Sequence, residues 1–195
     1  KTFKLISKLI KDTNIDFTKL YEKLYLRPVK ESRFQGYFAD NMIVTKNEIK
    51  SMIYGLAVGD AMGVPVEFTS RAKLEKEPVK EMLGNGSYPD IPHGVWSDDT
   101  SMTLCLMESM ARTGKLDFAD IMNNFVQWEE GDAFNATGVT FDIGRTCNAA
   151  IQRFVKGADP LACGGKTEGD NGNGALMRIS PMALWLAVHP GADMD

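Results

Sequence analysis

The stretch Gly94-Val95-Trp96-Ser97-Asp98-Asp99-Thr100 is followed at once by the apolar run Ser101 to Arg112. Ser and Asp directly ahead of such a run make a helix start. Their oxygens accept from the first free N–H groups, and acids there suit the positive end of the helix dipole. Gly114 closes the run as a C′ glycine. The stretch also has a chemical reading. Two adjacent carboxylates between two hydroxyl residues are hard oxygen donors, suited to Mg²⁺ or Mn²⁺ rather than to zinc. Taken alone, the stretch carries both readings.

Working outward, the other periodic segments are also helical. Thr45 and Glu48 form a T-x-x-E capping box, with Ile49, Met52, Ile53 and Leu56 at helical spacing behind them. Gly59 to Pro65 is expected to break that helix, and a Gly/Pro-rich loop runs from Gly84 to Gly94. A helix from about Asp117 to Trp128 has Asp117 as N-cap and Phe118, Ile121, Met122 and Phe125 turned inward. Phe141-Asp142-Ile143-Gly144 introduces another that ends before Gly157. The last is expected from about Asn173 to Val188, kinked or split by Pro181. Two-residue alternation is lacking, so the predicted fold is all-α. Met102, Met107, Met110 and Met122 read as core filler, and Trp96, Trp128 and Trp185 as core packing.

A chain of 195 residues, 44% hydrophobic and 25% charged, fits one soluble domain with a small appendage. No apolar run approaches the ~18 residues of a membrane span. The net charge of −4 is unevenly spread. Residues 1–50 carry 11 Lys and Arg against 6 Asp and Glu, and the remainder carries 11 against 20. The acidic body is a poor partner for nucleic acid. Residues 1–44 contain two short amphipathic patterns, around Phe3 to Ile10 and Phe17 to Tyr25, and read as an N-terminal extension ahead of a domain over residues 45–195. Cys105, Cys147 and Cys163 are odd in number and lack metal-ligand spacing. Buried thiols in a reducing, cytoplasmic setting are expected. His93 and His189 are too far apart in sequence to suggest a triad or a histidine metal site.

Two more blocks flank the opening stretch: Gly59-Asp60-Ala61-Met62-Gly63-Val64-Pro65-Val66-Glu67-Phe68 upstream, and Gly172-Asn173-Gly174-Ala175-Leu176-Met177-Arg178 downstream. In this order the three resemble the ADP-ribosylglycohydrolase family, over about Glu48 to Val188. The resemblance implies an all-α hydrolase that removes ADP-ribose from modified protein side chains, arginine first among them. It implies two divalent cations, Mg²⁺ or Mn²⁺, one or both held by Ser97, Asp98 and Asp99, with Ser97 where the family usually has Thr. Glu67 becomes a catalytic or ribose-contacting acid. The proton carrier is Glu67 or one of the Asp pair, Asp99 among them. Asp142 and Gly144 fall in a pocket-lining stretch, and Asn171, Gly172, Asn173 and Gly174 in a segment contacting the diphosphate. The same Gly-Asn-Gly also reads as a plain turn and cap. Asp60 reads as a structural residue at a helix end.

The family's second metal cluster, Asp-x-Asp-Thr, has no match. Asp193-Met194-Asp195 has the spacing but lacks the Thr and reads as loop, so the chain reads as the first half to two-thirds of such a domain. A second reading makes the chain a toxin-immunity or binding module, in which residues 1–44 block an ADP-ribosyltransferase toxin. A packing extension or dimer arm is the plain alternative for that segment. A non-catalytic relative is a third reading, opposed by the intact Ser97-Asp98-Asp99 and Glu67.

Overall fold

The computed structural model describes residues 46–80, 88, 90–131 and 133–188. The helices expected before residue 44, the Thr45 cap and Asp193–Asp195 lie outside these residues. Six α-helices are described: α1 (Lys46–Gly63), α2 (Arg71–Lys76), α3 (Asp98–Thr113), α4 (Phe118–Glu129), α5 (Arg145–Val155) and α6 (Ser180–Val188). No β-strand occurs among the described residues, in agreement with the all-α expectation.

Helix α3 is the axis of the molecule. It packs against α1, α4 and α6, and α4 packs in turn on α5. Its sequence allows this because it is buried almost all round: Met102, Leu104, Cys105, Leu106, Met107, Met110 and Ala111 are core residues. Trp96 and Trp128 are also fully buried, as the sequence suggested for the methionines and tryptophans. The polar residues that α3 takes inside are satisfied, as buried polar groups must be. Ser101 Oγ donates to Ser97 O at 2.9 Å and accepts from the Trp96 indole at 3.2 Å. Thr103 Oγ1 donates to Asp99 O, and Ser109 Oγ donates to Asp120. Gly114 ends α3 at φ 72°, in the left-handed region, and its N–H bonds Met110 O. Asp117 caps α4 through Asp120 N–H.

The start of α3 is capped from another helix. Ser97 makes no side-chain cap of its own. Asp60, on α1, accepts from Ser97 N–H at 2.9 Å and Ser97 Oγ–H at 2.7 Å on one oxygen. The other oxygen accepts from Thr100 N–H at 3.0 Å and Thr100 Oγ1–H at 2.7 Å. The structural role read for Asp60 is therefore at the end of a neighbouring helix.

Helix α1 passes Gly59 and ends at Gly63, within the expected Gly59–Pro65 stretch, and the 3₁₀ turn Val64–Val66 follows. Glycine weakens a helix by about 1 kcal/mol without removing a hydrogen bond. Pro65 lacks the N–H, and regular helix stops there. The helix expected from Asn173 is instead a three-residue 3₁₀ turn, Asn173–Ala175, and α6 begins only at Ser180. Pro181 sits in the first turn of α6, where its missing N–H costs nothing. Between them Arg178 acts as a staple. Its guanidinium lies 4.7 Å from the Phe125 ring centre, and Nη1 donates to Met102 Sδ at 3.2 Å and Cys147 Sγ at 3.6 Å.

Asp60→Ala would leave two N–H groups and two hydroxyls at the start of α3 without their acceptor. We expect a loss of about 2–3 kcal/mol in urea unfolding, the scale of a charged cap. An unchanged midpoint would show that water replaces Asp60 without cost.

Candidate active site: carboxylates gathered at the start of α3

Four separate segments bring acids to one place. Asp60 comes from α1, Glu67 from the turn after Val64–Val66, Ser97 and Asp99 from the start of α3, and Asp142 from the loop before α5. Together with Gly55, Gly59, Gly63, Leu56 and Val64 they line a cleft of about 420 Å³. One wall is nearly bare helix backbone. Gly55, Gly59 and Gly63 recur every four residues, and a Cβ built on any of them meets nothing within 4 Å. Asp98, only 5% exposed, is not part of that lining and accepts a hydrogen bond from Gly144 N–H. Gly144 is the N-cap residue of α5.

The cluster is short of positive charge. Burial, then Asp142, Asp99 and Asp60, raise the Asp98 carboxyl from 3.8 to about 7. Burial, a side-chain hydrogen bond to Asp142 and the charges of Asp142, Asp98 and Asp99 raise Glu67 from 4.5 to about 8. Asp99 is raised by burial and by Asp60 and Asp142. Among the described residues the ion pairs lie elsewhere, joining Arg112 to Glu108 and Asp120, and Lys115 to Asp117. Asp142 stands at φ 60°, in the left-handed region that Asp tolerates better than most residues. It accepts from the Tyr88 hydroxyl at 2.5 Å, and the Tyr88 ring packs edge-on against Phe141 with centroids 5.3 Å apart. Burial and Asp142 push the Tyr88 phenol well above its ordinary value.

The donor set is carboxylate and hydroxyl oxygen alone, and its negative charges are held close and partly dry. In chemistry and charge this fits a hard divalent cation. It is not a complete cage: among the described residues no group of three Asp, Glu, His or Cys side chains is placed to hold a metal ion. Mg²⁺ characteristically keeps several waters and takes one or two carboxylates.

The candidates from sequence divide accordingly. Glu67, Ser97, Asp98, Asp99, Asp142 and Gly144 come together. Asn171, Gly172, Asn173 and Gly174 do not line the cleft but lie against the first turn of α5. A Cβ on Gly172 would stand 2.8 Å from Thr146 Oγ1, and one on Gly174 would overlap Cys147 Sγ. A neighbouring thiol thus favours glycine at 174. The loop carrying these residues is tied to α5 by Arg145 donating to Gly169 O at 2.6 Å and Arg153 donating to Cys163 O at 2.8 Å. Sequence reasoning missed Tyr88. A tyrosine in a Gly/Pro-rich loop carries no local signal of a partner 54 residues away. Cys105, Cys147 and Cys163 are free and buried, and no described helix is long and apolar enough to cross a membrane.

An all-helical fold is what the sequence resemblance implied. The ADP-ribosylglycohydrolase family profile matches residues 42–194. The chain belongs to the ADP-ribosylglycohydrolase family. It is 38% identical over 141 residues to the ADP-ribosylarginine hydrolase Tri1 of Serratia proteamaculans, covering 71% of this chain and 37% of that protein. It is 37% identical over 142 residues to the ADP-ribosyl-[dinitrogen reductase] glycohydrolase of Rhodospirillum rubrum, covering 72% and 45%. A solved ADP-ribosylglycohydrolase-related protein complex superposes with a TM-score of 0.51 at 34% identity, over 67% of this chain and 40% of that one. The chain thus spans less than half the length of these relatives.

Two outcomes are expected. Glu67 and Asp98 keep their protons in the folded chain up to about 8 and about 7. Between their ordinary values and these, the folded state binds more protons than the unfolded chain, so stability falls as pH rises. In chelator the urea midpoint should therefore drop from about pH 5 to about pH 8, and saturating Mg²⁺ should flatten the drop. A midpoint that rises with pH in chelator would contradict the crowding of these acids. Separately, Gly174→Ala should cost about 1–3 kcal/mol by overpacking. Cys147→Ala should restore most of it, because the Cys147 Cβ lies 4.0 Å from the built Cβ. Failure of the double variant to recover would place the strain elsewhere.

Proposed function

We propose that the protein is a divalent-cation-dependent hydrolase that removes ADP-ribose from modified protein side chains, arginine foremost. The observation that carries this is the convergence of Glu67, Asp99 and Asp142 at one cleft, with buried Asp98 close enough to feel the charges of Asp142 and Asp99, in a chain of the ADP-ribosylglycohydrolase family. Two relatives bear names of hydrolases acting on ADP-ribosylarginine and on ADP-ribosylated dinitrogen reductase, which supports the same substrate class here.

Ser97, Asp98 and Asp99 would hold Mg²⁺ or Mn²⁺. When bound, the cation offsets negative charge and makes a nearby water more acidic. The proton carrier we assign is Glu67, whose carboxyl is in hydrogen-bond contact with Asp142. Burial and the neighbouring acids raise the Glu67 carboxyl to about 8, so it carries a proton at neutral pH. Glu67 gives that proton to the departing guanidine nitrogen as the bond from the ribose anomeric carbon breaks. Water oxygen forms the new bond to that carbon, and its proton returns to Glu67. Tyr88 holds Asp142 in place through its hydroxyl. Positive charge that builds on the ribose ring is offset by the carboxylates of Asp99 and Asp142. Gly144 orients Asp98 through its N–H. Asn171 to Gly174, held against α5 beside this group, would offer backbone N–H groups to the diphosphate.

The test is release of ADP-ribose from an arginine-modified protein by the full-length protein with Mg²⁺. Glu67→Gln should slow release by about 10²–10⁴-fold, the usual worth of a positioned proton carrier, without lowering the melting temperature. Absence of release by wild type from arginine, serine and nucleic-acid acceptors alike would end the hydrolase reading.

A further inference from the structure

The turn that carries Glu67 has an unfavourable residue in it. Thr69 N–H donates to Val66 O at 2.9 Å. Glu67 has φ −56° and ψ 139°, and Phe68 has φ 57°. These values and this hydrogen bond describe a type II β-turn, whose third position has positive φ and ordinarily takes Gly or Asn. A bulky aromatic there is sterically disfavoured. Burial does not compensate, since Phe68 is 79% exposed. Phe134 makes the contrast. It also has positive φ, at 62°, but only 7% of it is exposed and it belongs to the core. Neither turn geometry nor packing among the described residues accounts for a phenylalanine at 68. Phe68 directly follows Glu67, which lines the acidic cleft.

We propose that Phe68 is a specificity residue that receives the acceptor side of the substrate, its ring face against the guanidinium of the modified arginine. The inference rests on the hydrolase reading. A cleft of about 420 Å³ takes small groups, and a folded protein acceptor has to stay at its mouth. The group that joins the two halves of the substrate is a guanidinium, and an aromatic face attracts a cation through its quadrupole. The negative cleft beside it favours the same sign of charge.

The experiment compares Phe68→Gly, Phe68→Leu and Phe68→Tyr in the full-length protein. Melting temperature, kcat and KM for an arginine-modified protein, and affinity for free ADP-ribose by calorimetry are measured. Glycine should leave the melting temperature equal or higher, because it relieves the turn. It should lower kcat/KM about three- to tenfold through KM and leave ADP-ribose affinity unchanged. Tyrosine should keep near wild-type KM, and leucine, apolar but without a ring face, should not. Unchanged kcat/KM in the glycine variant overturns the proposal. So does an equal loss of ADP-ribose affinity, which would put the ring on the nucleotide. A lower melting temperature with unchanged KM would make Phe68 a packing contact and also overturn it. If wild type releases no ADP-ribose, the hydrolase reading fails by itself. Phe68 is then judged by binding of the arginine-modified protein relative to free ADP-ribose, and equal affinity of wild type and Phe68→Gly rejects it.

Discussion

One carboxylate fixes the geometry of this domain. Asp60 takes four donors from the first turn of α3, two backbone and two hydroxyl. An N-cap normally comes from the residue just before the helix. Here it comes from α1, so the bonds that begin α3 also dock it on its neighbour. The register they set decides where Asp98 and Asp99 stand: Asp98 buried, Asp99 at the cleft wall. Since α3 packs on α1, α4 and α6, the same contact ties the acidic site to the core.

The site is built against the grain of folding stability. Burial and like charge raise Glu67, Asp98 and Asp99 together. Asp142 adds a left-handed backbone and Phe68 another, on two of the segments that meet there. Strain and repulsion of this kind persist only where the surroundings over-determine them, and they gather at functional sites. The surroundings here are well made. The buried hydroxyls of α3 are paired, Gly114 and Asp117 end and begin their helices with ordinary caps, and Arg178 is clamped by a ring and two sulfurs. A rigid frame thus holds acids closer than they would choose, and a bound cation would be the natural relief of their charge.

Sulfur packing sets a second constraint. Cys147 Sγ lies so close to Gly174 that no side chain fits, and the same sulfur accepts from Arg178. The Asn171–Gly174 segment is held against α5 by this fit and by the Arg145 and Arg153 bonds to its loop. Glycine's usual value near a ligand is close backbone approach. At position 174 the close approach is to the protein itself.

What the sequence determined by itself was local. Helical period, the Ser97-Asp98-Asp99 start, the Gly114 stop, the Asp117 cap and the inward methionines and tryptophans all depend on hydrogen bonds and side-chain spacing within a turn or two. Those signals are written in adjacent residues, and the three motif blocks pointed to the family on the same basis. Tertiary structure decided the rest. It gave Asp60 its partners 37 and 40 residues away and Tyr88 its partner 54 away. It moved the last helix start to Ser180, which leaves Pro181 in the first turn, where its missing N–H is tolerated. It also assigned Gly174 to a thiol. Contacts between distant segments depend on how whole helices pack, and no spacing along the chain encodes which side chain of one will meet which of another.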